Sequence, residues 1–178
     1  MFDRGLEGEY VAIDCETMTS ERFEAVVRPD ANMDIEAIKI HRLRLADIVQ
    51  APPIRKSLGS LLRFIGGRPL VGYNLDFDIA MLDKYVLPMI GIELPNERIE
   101  ISRLYYKLKY GNAPPNTSID LSFAAILDDL RIPPLAQHDA FNDALMTAMM
   151  FVQLHDLAAR DQRILRQHTG AVHAPTGA

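Results

Sequence analysis

Several features are scarce in this chain of 178 residues, and each absence narrows its class. A single cysteine, Cys15, excludes an internal disulfide and a cysteine-cluster metal site, so a reducing cytoplasm is the expected compartment. No uninterrupted apolar run approaches the ~20 residues that span a bilayer, and no membrane association is expected. The first residues carry acidic side chains and no apolar core, so we expect no signal peptide.

Positive charge is also in short supply. The 19 Lys and Arg residues face 24 Asp and Glu residues, for a formal net charge of -5. This charge argues against a protein that coats nucleic acid with a broad basic surface, but it does not exclude an enzyme that binds one short end. The composition is that of an ordinary globular domain, which we expect over residues 1–167. Residues 168–178 lack apolar periodicity and are predicted to be a flexible tail.

Strand and helix patterns alternate along the chain. Apolar alternation and short apolar runs predict strands over residues 10–17, 23–27, 70–73 and 98–101. Helical periodicity predicts helices over residues 54–65, 74–89, 104–108, 119–130 and from 139 to 160 or beyond. Asn74 is the expected N-cap of the second of these helices. The inner face of that helix is predicted to carry Phe77, Met81, Leu82 and Tyr85. This interleaving indicates an α/β sheet covered by helices.

Two carboxylates lie one residue apart in the first predicted strand. Because side chains alternate faces along a strand, Asp14 and Glu16 are expected to leave the same side. Two such groups repel each other in a low-dielectric setting, and a bound cation removes that conflict. An isolated pair of this kind also fits a solvated strand end, so the motif is weak by itself.

Further acids lie near the starts of two predicted helices. Asp78 falls in the first turn of a helix that follows a short buried strand, where an acid also stabilises the helix dipole. Asp76 competes for the same role but lies closer to the turn. Asp143 lies one turn inside the longest helix, which Asp139 is expected to cap, and His138 precedes it on a loop.

Four acids and one histidine have a joint chemical use. Hard oxygen ligands select Mg²⁺ or Mn²⁺ over zinc. Two such ions ~3.5–4 Å apart clamp a phosphodiester, one activating water and the other stabilising the leaving oxygen. A neutral histidine with a pKa of about 6.5 can accept the proton of that water. The constellation therefore favours metal-dependent phosphodiester hydrolysis.

Three motifs stand in a definite order, with lesser segments between them. They are D-x-E at 14–16, N-x-x-F-D at 74–78 and H-x-A-x-x-D-A at 138–144, with the lesser segments at 38–43, 47 and 51–53. Between about residues 10 and 148, this order resembles the DEDDh 3′→5′ exonucleases. That family includes the proofreading epsilon subunit of bacterial DNA polymerase III, RNase T and oligoribonuclease.

The resemblance implies an RNase H-like α/β fold, with a mixed central sheet flanked by helices. The metal-binding acids that it implies by position are Asp14, Glu16, Asp78 and Asp143. It implies two ions of Mg²⁺ or Mn²⁺ and His138 as the general base. Thr17 and Met18 would line the pocket for the terminal nucleotide, and Asn74 would support the second-motif turn. The implied reaction releases nucleoside 5′-monophosphates from single-stranded nucleic-acid 3′ ends, with DNA as the expected substrate.

The sequence departs from the family pattern in two places. Tyr73 stands where many relatives have histidine, which is tolerable because that residue is not a ligand. After the first motif, about 20 residues, one strand with its loops, are missing. The first strand would then have an unpaired edge. The strand predicted over residues 23–27 could fill the lane, a second copy could cover it in a homodimer, or the natural chain could contain a further segment.

Two groups of basic residues are candidates for contact with the substrate, and more than one activity fits the motifs. Basic residues recur in two groups, at Arg98, Arg103, Lys107 and Lys109 and at Arg160, Arg163 and Arg166. Either group could follow a phosphate backbone or form a solvated face. No aromatic series indicates a long single-strand channel. The alternatives to a DNA exonuclease are a 3′→5′ exoribonuclease and a non-catalytic nucleic-acid-binding or partner-docking module on the same fold.

Overall fold

The computed structural model describes residues 11–12, 16–17, 22–28, 49–111, 114, 118–136 and 140–170, and it describes side chains for all of these except 11–12, 16–17 and 161–170. The strands are β1 (Val11–Ala12), β2 (Glu16–Thr17), β3 (Leu70–Gly72) and β4 (Arg98–Glu100). The helices are α1 (Ile54–Ile65), α2 (Leu75–Ile90), α3 (Ile101–Tyr110), α4 (Phe123–Asp129) and α5 (Ala140–Gly170).

The strands form one mixed sheet in the order β2-β1-β3-β4. β3 runs parallel to both of its neighbours, with Leu70 opposite Val11 of β1 and Arg98 of β4. β2 runs antiparallel to β1 at the edge. Helices flank this sheet, and the predicted fold class is confirmed.

Both faces of the sheet are covered by helices. Successive side chains of β3 point to opposite faces, and each enters a different hydrophobic cluster. Leu70 is buried with residues of α1 and α2, chiefly Leu58, Ile65, Leu75, Ile79 and Val86. Val71 is buried in the other cluster, with residues of α3, α4 and α5 that include Ile101, Tyr105, Ile126, Met146 and Met150. The centre of the sheet is therefore buried from solvent on both faces.

The continuous strand predicted over residues 10–17 is wrong. β1 ends at Ala12, and β2 begins at Glu16 in the opposite direction. The strand predicted over residues 23–27 is also wrong, because those residues form no strand and Arg28 makes only an isolated bridge to Pro53. The physical reason is that an unpaired edge of β1 would leave backbone groups without partners, and β2 pairs with that edge. A homodimer across this sheet stays a prediction.

The other predicted elements are present, with shifted ends. α1 has its predicted bounds and is closed by Gly66 in the left-handed region at φ 56°. α3 is longer than expected, and α4 begins only at Phe123, where the Ala125 N–H donates to Ser122 Oγ at 3.3 Å. α5 continues to Gly170, and residues 171–178 lie outside the described part, so the flexible tail stays a prediction. Within the described residues, no helix is long and apolar enough to cross a membrane.

The inner face of α2 differs from the predicted one. Phe77 is 67% exposed and Met81 is 42% exposed, whereas Leu82 and Tyr85 are half-buried against the core. The fully buried residues of this helix are Leu75, Ile79 and Val86. The helix begins at Leu75, whose side chain enters the core, and this start sets the phase of the buried stripe.

Candidate active site

The second motif occupies the junction between β3 and α2. Asn74 adopts the left-handed conformation, with φ 62° and ψ 29°, which asparagine tolerates better than most residues. Its backbone oxygen accepts from the Phe77 N–H at 2.9 Å. Asn74 is the N-cap residue of α2, as predicted, but its side chain makes no capping hydrogen bond. Asn74 forms the turn through its backbone.

Gly72 allows the strand and the helix to approach closely. A Cβ atom at this position would lie 2.8 Å from Cδ1 and 2.9 Å from Cβ of Leu75, distances too short for real contacts. Any larger residue would therefore push the first turn of α2 away from β3. That turn carries Asp78.

Glu100 supplies the side-chain cap that Asn74 does not. This residue ends β4, and its Oε2 accepts from the Leu75 N–H at 2.9 Å while Oε1 accepts from the Asn74 N–H at 3.2 Å. Oε1 also accepts from Ser102 Oγ at 2.9 Å and from the Ser102 N–H at 3.3 Å. Sequence reasoning missed this residue. Its signal was an acid between a short strand and a helix, with a serine two residues later.

Asp78 is half-buried on the first turn of α2. Burial raises the pKa of its carboxyl from 3.8 to about 6. Its own backbone N–H opposes this rise, and the negative charge of Glu100 adds to it. Asp76, also in this turn, is exposed and lies 3.5 Å from Arg98 Nη1 and 3.3 Å from Arg103 Nη2. The two acids of the motif thus have different surroundings.

The third motif opens α5. Asp143 is half-buried in the first turn of this helix, and its backbone oxygen accepts from Thr147 Oγ1 at 2.8 Å. α5 packs against β1, β2 and β3. The helix that carries Asp143 therefore lies against the strand that precedes the second motif and against both strands of the first. His138 and the expected cap Asp139 lie outside the described residues.

The first motif differs from its predicted geometry. Glu16 and Thr17 form β2, where only their backbone is described, and Asp14 and Met18 lie outside the described residues. The single strand over residues 10–17 that this prediction assumed is wrong, but the two carboxylates lie outside the described side chains, so their shared face stays a prediction. β1 and β2 are instead antiparallel neighbours.

The donor chemistry of the described acids fits a hard cation. In the part of the chain with described side chains, no group of three or more His, Cys, Asp or Glu residues could hold a metal ion. That part includes Asp78 and Asp143 but excludes Asp14, Glu16 and His138. Asp78 offers oxygen ligands in a desolvated setting, where a divalent cation would offset the cost of its charge.

Two of the predicted basic residues lie beside the second motif. Arg98 and Arg103 share the single carboxylate of Asp76. Lys109 instead pairs with Asp129 at 2.8 Å, and Arg160 pairs with Asp156 one turn earlier on α5. Arg98 and Arg103 therefore lie beside the first turn of α2, the turn that carries Asp78.

Comparison with known proteins decides the family. Residues 10–151 match the RNase_T family of exonucleases. The chain belongs to this family. The family predicted from the motif order is confirmed, and the match carries with it an RNase H-like α/β fold.

Two similar proteins carry the name of DNA polymerase III. One is the DNA polymerase III PolC-type of Caldanaerobacter subterraneus subsp. tengcongensis, 25% identical over 85% of this chain. The other is the DNA polymerase III subunit epsilon of Aquifex aeolicus, 23% identical over 86% of this chain and 84% of that protein. The chain spans only 12% of the PolC-type protein, so it corresponds to one part of that polymerase.

Proposed function

We propose that this chain is a metal-dependent 3′→5′ exonuclease that releases nucleoside 5′-monophosphates from nucleic-acid 3′ ends. The observation that supports this most is Asp78, a half-buried carboxylate at the β3–α2 junction of an exonuclease-family chain. The proposed ligands of two Mg²⁺ or Mn²⁺ ions are Asp14, Glu16, Asp78 and Asp143. The lone cysteine supports a cytoplasmic setting, which is part of this proposal.

The proposed roles follow from the resemblance to the family and agree with the chemistry of each side chain. When bound, the ions would supply Lewis acidity at the phosphodiester. Asp78 holds a carboxylate that burial leaves poorly hydrated, so a cation gains more from it than from an exposed acid. His138 accepts the proton of the attacking water at an imidazole nitrogen. Thr17, Met18 and Asn74 contact the terminal nucleotide.

We assign the contact with the substrate backbone to Arg98 and Arg103. Both lie beside the second motif, and both are partly exposed while sharing one carboxylate. A phosphate that reached this pair would meet one cation in excess of the acid between them. DNA is the proposed substrate, which the names of the two similar polymerase proteins support.

The split first motif favours a second candidate function. Glu16 lies in β2, which is antiparallel to β1, rather than in one strand continuous with β1. A module that binds nucleic acid or a partner without hydrolysing it would follow if this arrangement prevented the first motif from completing the site. Such a module would retain substrate binding and produce no shortened strands.

Digestion of labelled strands separates these candidates. A 5′-labelled single-stranded DNA and an RNA of the same sequence are incubated with Mn²⁺, with the wild type and with Asp14→Ala and Asp143→Ala. Asp156→Ala is the matched control, since Asp156 lies on the same helix as Asp143 and pairs with Arg160.

The proposal expects a ladder that shortens from the 3′ end with the wild type and the control. EDTA and the two site variants should abolish it while the proteins stay folded by circular dichroism. Activity retained by either site variant would overturn the assignment. Intact DNA together with shortened RNA would identify an exoribonuclease, and two intact strands would favour the non-catalytic module.

A further inference from the structure

One carboxylate joins the starts of two helices beside the candidate site. Glu100 ends β4 and lies opposite Gly72 of β3 in the sheet register. From there it accepts from the first backbone donors of α2, the N–H groups of Asn74 and Leu75. Glu100 also accepts from the N–H and the hydroxyl of Ser102, two residues later at the start of α3.

These contacts define what Glu100 can do. Oε2 is 2.9 Å from the Leu75 N–H, and Oε1 receives the remaining donors, so both oxygens are already engaged by this chain. A carboxylate in that state is poorly suited to bind a metal ion itself. Its negative charge instead lies at two helix N-termini, where it is stabilised by the helix dipoles.

We propose that Glu100 is a positioning residue that fixes the first turn of α2 to β4 and thereby holds Asp78 in place for the metal. This inference rests on the proposed function, since it assigns Glu100 to the site that Asp78 serves. The turn has no side-chain cap of its own, because Asn74 is left-handed and makes no capping bond. Glu100 therefore provides the side-chain acceptors at the start of this turn, through the Asn74 and Leu75 N–H groups.

Only a carboxylate satisfies all of these donors at once. In Glu100→Gln the shape is kept, but the amide nitrogen cannot accept, so one helix start loses its acceptor. Asp83→Asn is the matched control. Asp83 lies on the same helix and accepts one backbone N–H, that of Leu94 at 2.8 Å, outside the second motif.

The experiment measures position and metal binding separately. Hydrogen exchange of the Asn74 and Leu75 amides is followed by NMR without metal. Mn²⁺ affinity is then measured by calorimetry, and kcat and KM are measured on a single-stranded oligonucleotide. In Glu100→Gln we expect faster exchange at these amides and Mn²⁺ affinity weakened about 10-fold. We expect kcat to fall with KM changed less than about twofold, because Glu100 touches no substrate.

The controls keep the inference open to refutation. Asp83→Asn should leave Mn²⁺ affinity and kcat at wild-type values, and Glu100→Asp, which keeps both acceptor oxygens, should recover part of the affinity. The positioning role would be overturned if Glu100→Asp bound Mn²⁺ more weakly than Glu100→Gln. It would also be overturned if Asp83→Asn lost as much Mn²⁺ affinity and kcat as Glu100→Gln. If Glu100→Gln does not fold, the comparison of Glu100→Asp with Asp83→Asn decides in the same way.

Two outcomes distinguish this inference from the proposed function. An active wild type with normal Mn²⁺ affinity in Glu100→Gln would refute the positioning role alone. A wild type that neither binds Mn²⁺ nor shortens a strand would refute the proposed function, and the positioning role with it.

Discussion

The first and second motifs look alike in sequence but differ in what holds them. Each is a short apolar run followed by acids. The second motif lies between β3 and the 16-residue helix α2. β3 is paired with β1 on one side and with β4 on the other. The first lies across β1 and β2, strands of two residues each. The acid of the second motif lies at a junction that is supported by both neighbours of β3 and by Glu100 of β4, whereas the first motif lies near the sheet edge and depends on which strand pairs there.

The largest expected effect is the loss of exonuclease activity when Asp78 of the second motif is replaced. Asp78→Asn should reduce exonuclease activity at least about 100-fold, because a neutral amide binds a divalent cation poorly. It should also stabilise the metal-free protein at pH 8, because the wild type there carries the cost of a desolvated charge. Rates on a labelled oligonucleotide and urea unfolding with EDTA measure the two effects.

The pH dependence of that stability has a definite sign. The pKa of Asp78 is raised from 3.8 to about 6 in the folded chain, so protonation favours folding. This contribution is complete below pH 3.8 and is lost as the pH rises through about 6. The advantage of Asp78→Asn should therefore be largest at pH 8 and shrink toward pH 4. An advantage that is constant across this range would contradict the desolvated carboxylate.

The next effect tests the close contact beneath the second motif. Gly72→Ala should lower the free energy of unfolding by about 1–3 kcal/mol, since the new Cβ overlaps Leu75. Gly67→Ala is the control, because a Cβ there meets nothing within 4 Å. Urea unfolding compares them. Equal stabilities would show that β3 and α2 are less tightly packed than the second motif requires.

A smaller effect tests the contacts of Tyr73, the residue that follows β3. Tyr73 donates its hydroxyl to the Leu121 backbone oxygen at 3.0 Å and packs edge-on against Phe123. Tyr73→Phe should cost about 1 kcal/mol of unfolding free energy, the typical net value of one such hydrogen bond. Tyr106→Phe, at an exposed position, should cost less than about 0.5 kcal/mol. Thermal or urea unfolding in which both cost the same would remove this bond as a support of the junction.

The smallest effect concerns the cations beside the second motif. Arg103→Ala should weaken binding of a single-stranded oligonucleotide a few-fold at low salt. It should also reduce the slope of log affinity against log salt by about 0.7, the value for one phosphate contact. Arg160→Ala, which removes a cation paired with Asp156 on α5, should leave the slope unchanged. Fluorescence anisotropy over a salt series measures both, and matching slopes would exclude Arg103 as a backbone contact.

Local patterns were sufficient for part of the fold. α1, β3 and the extent of α2 could be predicted because apolar periodicity and turn residues lie within or directly beside each segment. The motif order was sufficient for the family. The side-chain cap of α2 was not predictable in this way, because Glu100 lies 26 residues beyond Asn74 and reaches it only through strand pairing.

The errors share a physical cause. Phe77 and Met81 fit a helical stripe in sequence, but the stripe that is buried depends on where Leu75 enters the core. The strand predicted over residues 10–17 had the right alternation, yet strand pairing at an edge depends on a neighbour that the segment itself does not specify. Both outcomes are set by packing between segments.

The central claim is that Asp78, held at the β3–α2 junction, binds a divalent cation. Titration of Mn²⁺ into the metal-free wild type, Asp78→Asn and Asp83→Asn by isothermal calorimetry tests it most directly. We expect two ions per wild-type chain, the same for Asp83→Asn, and affinity weakened at least about 10-fold for Asp78→Asn. Equal Mn²⁺ binding by all three proteins would contradict the claim.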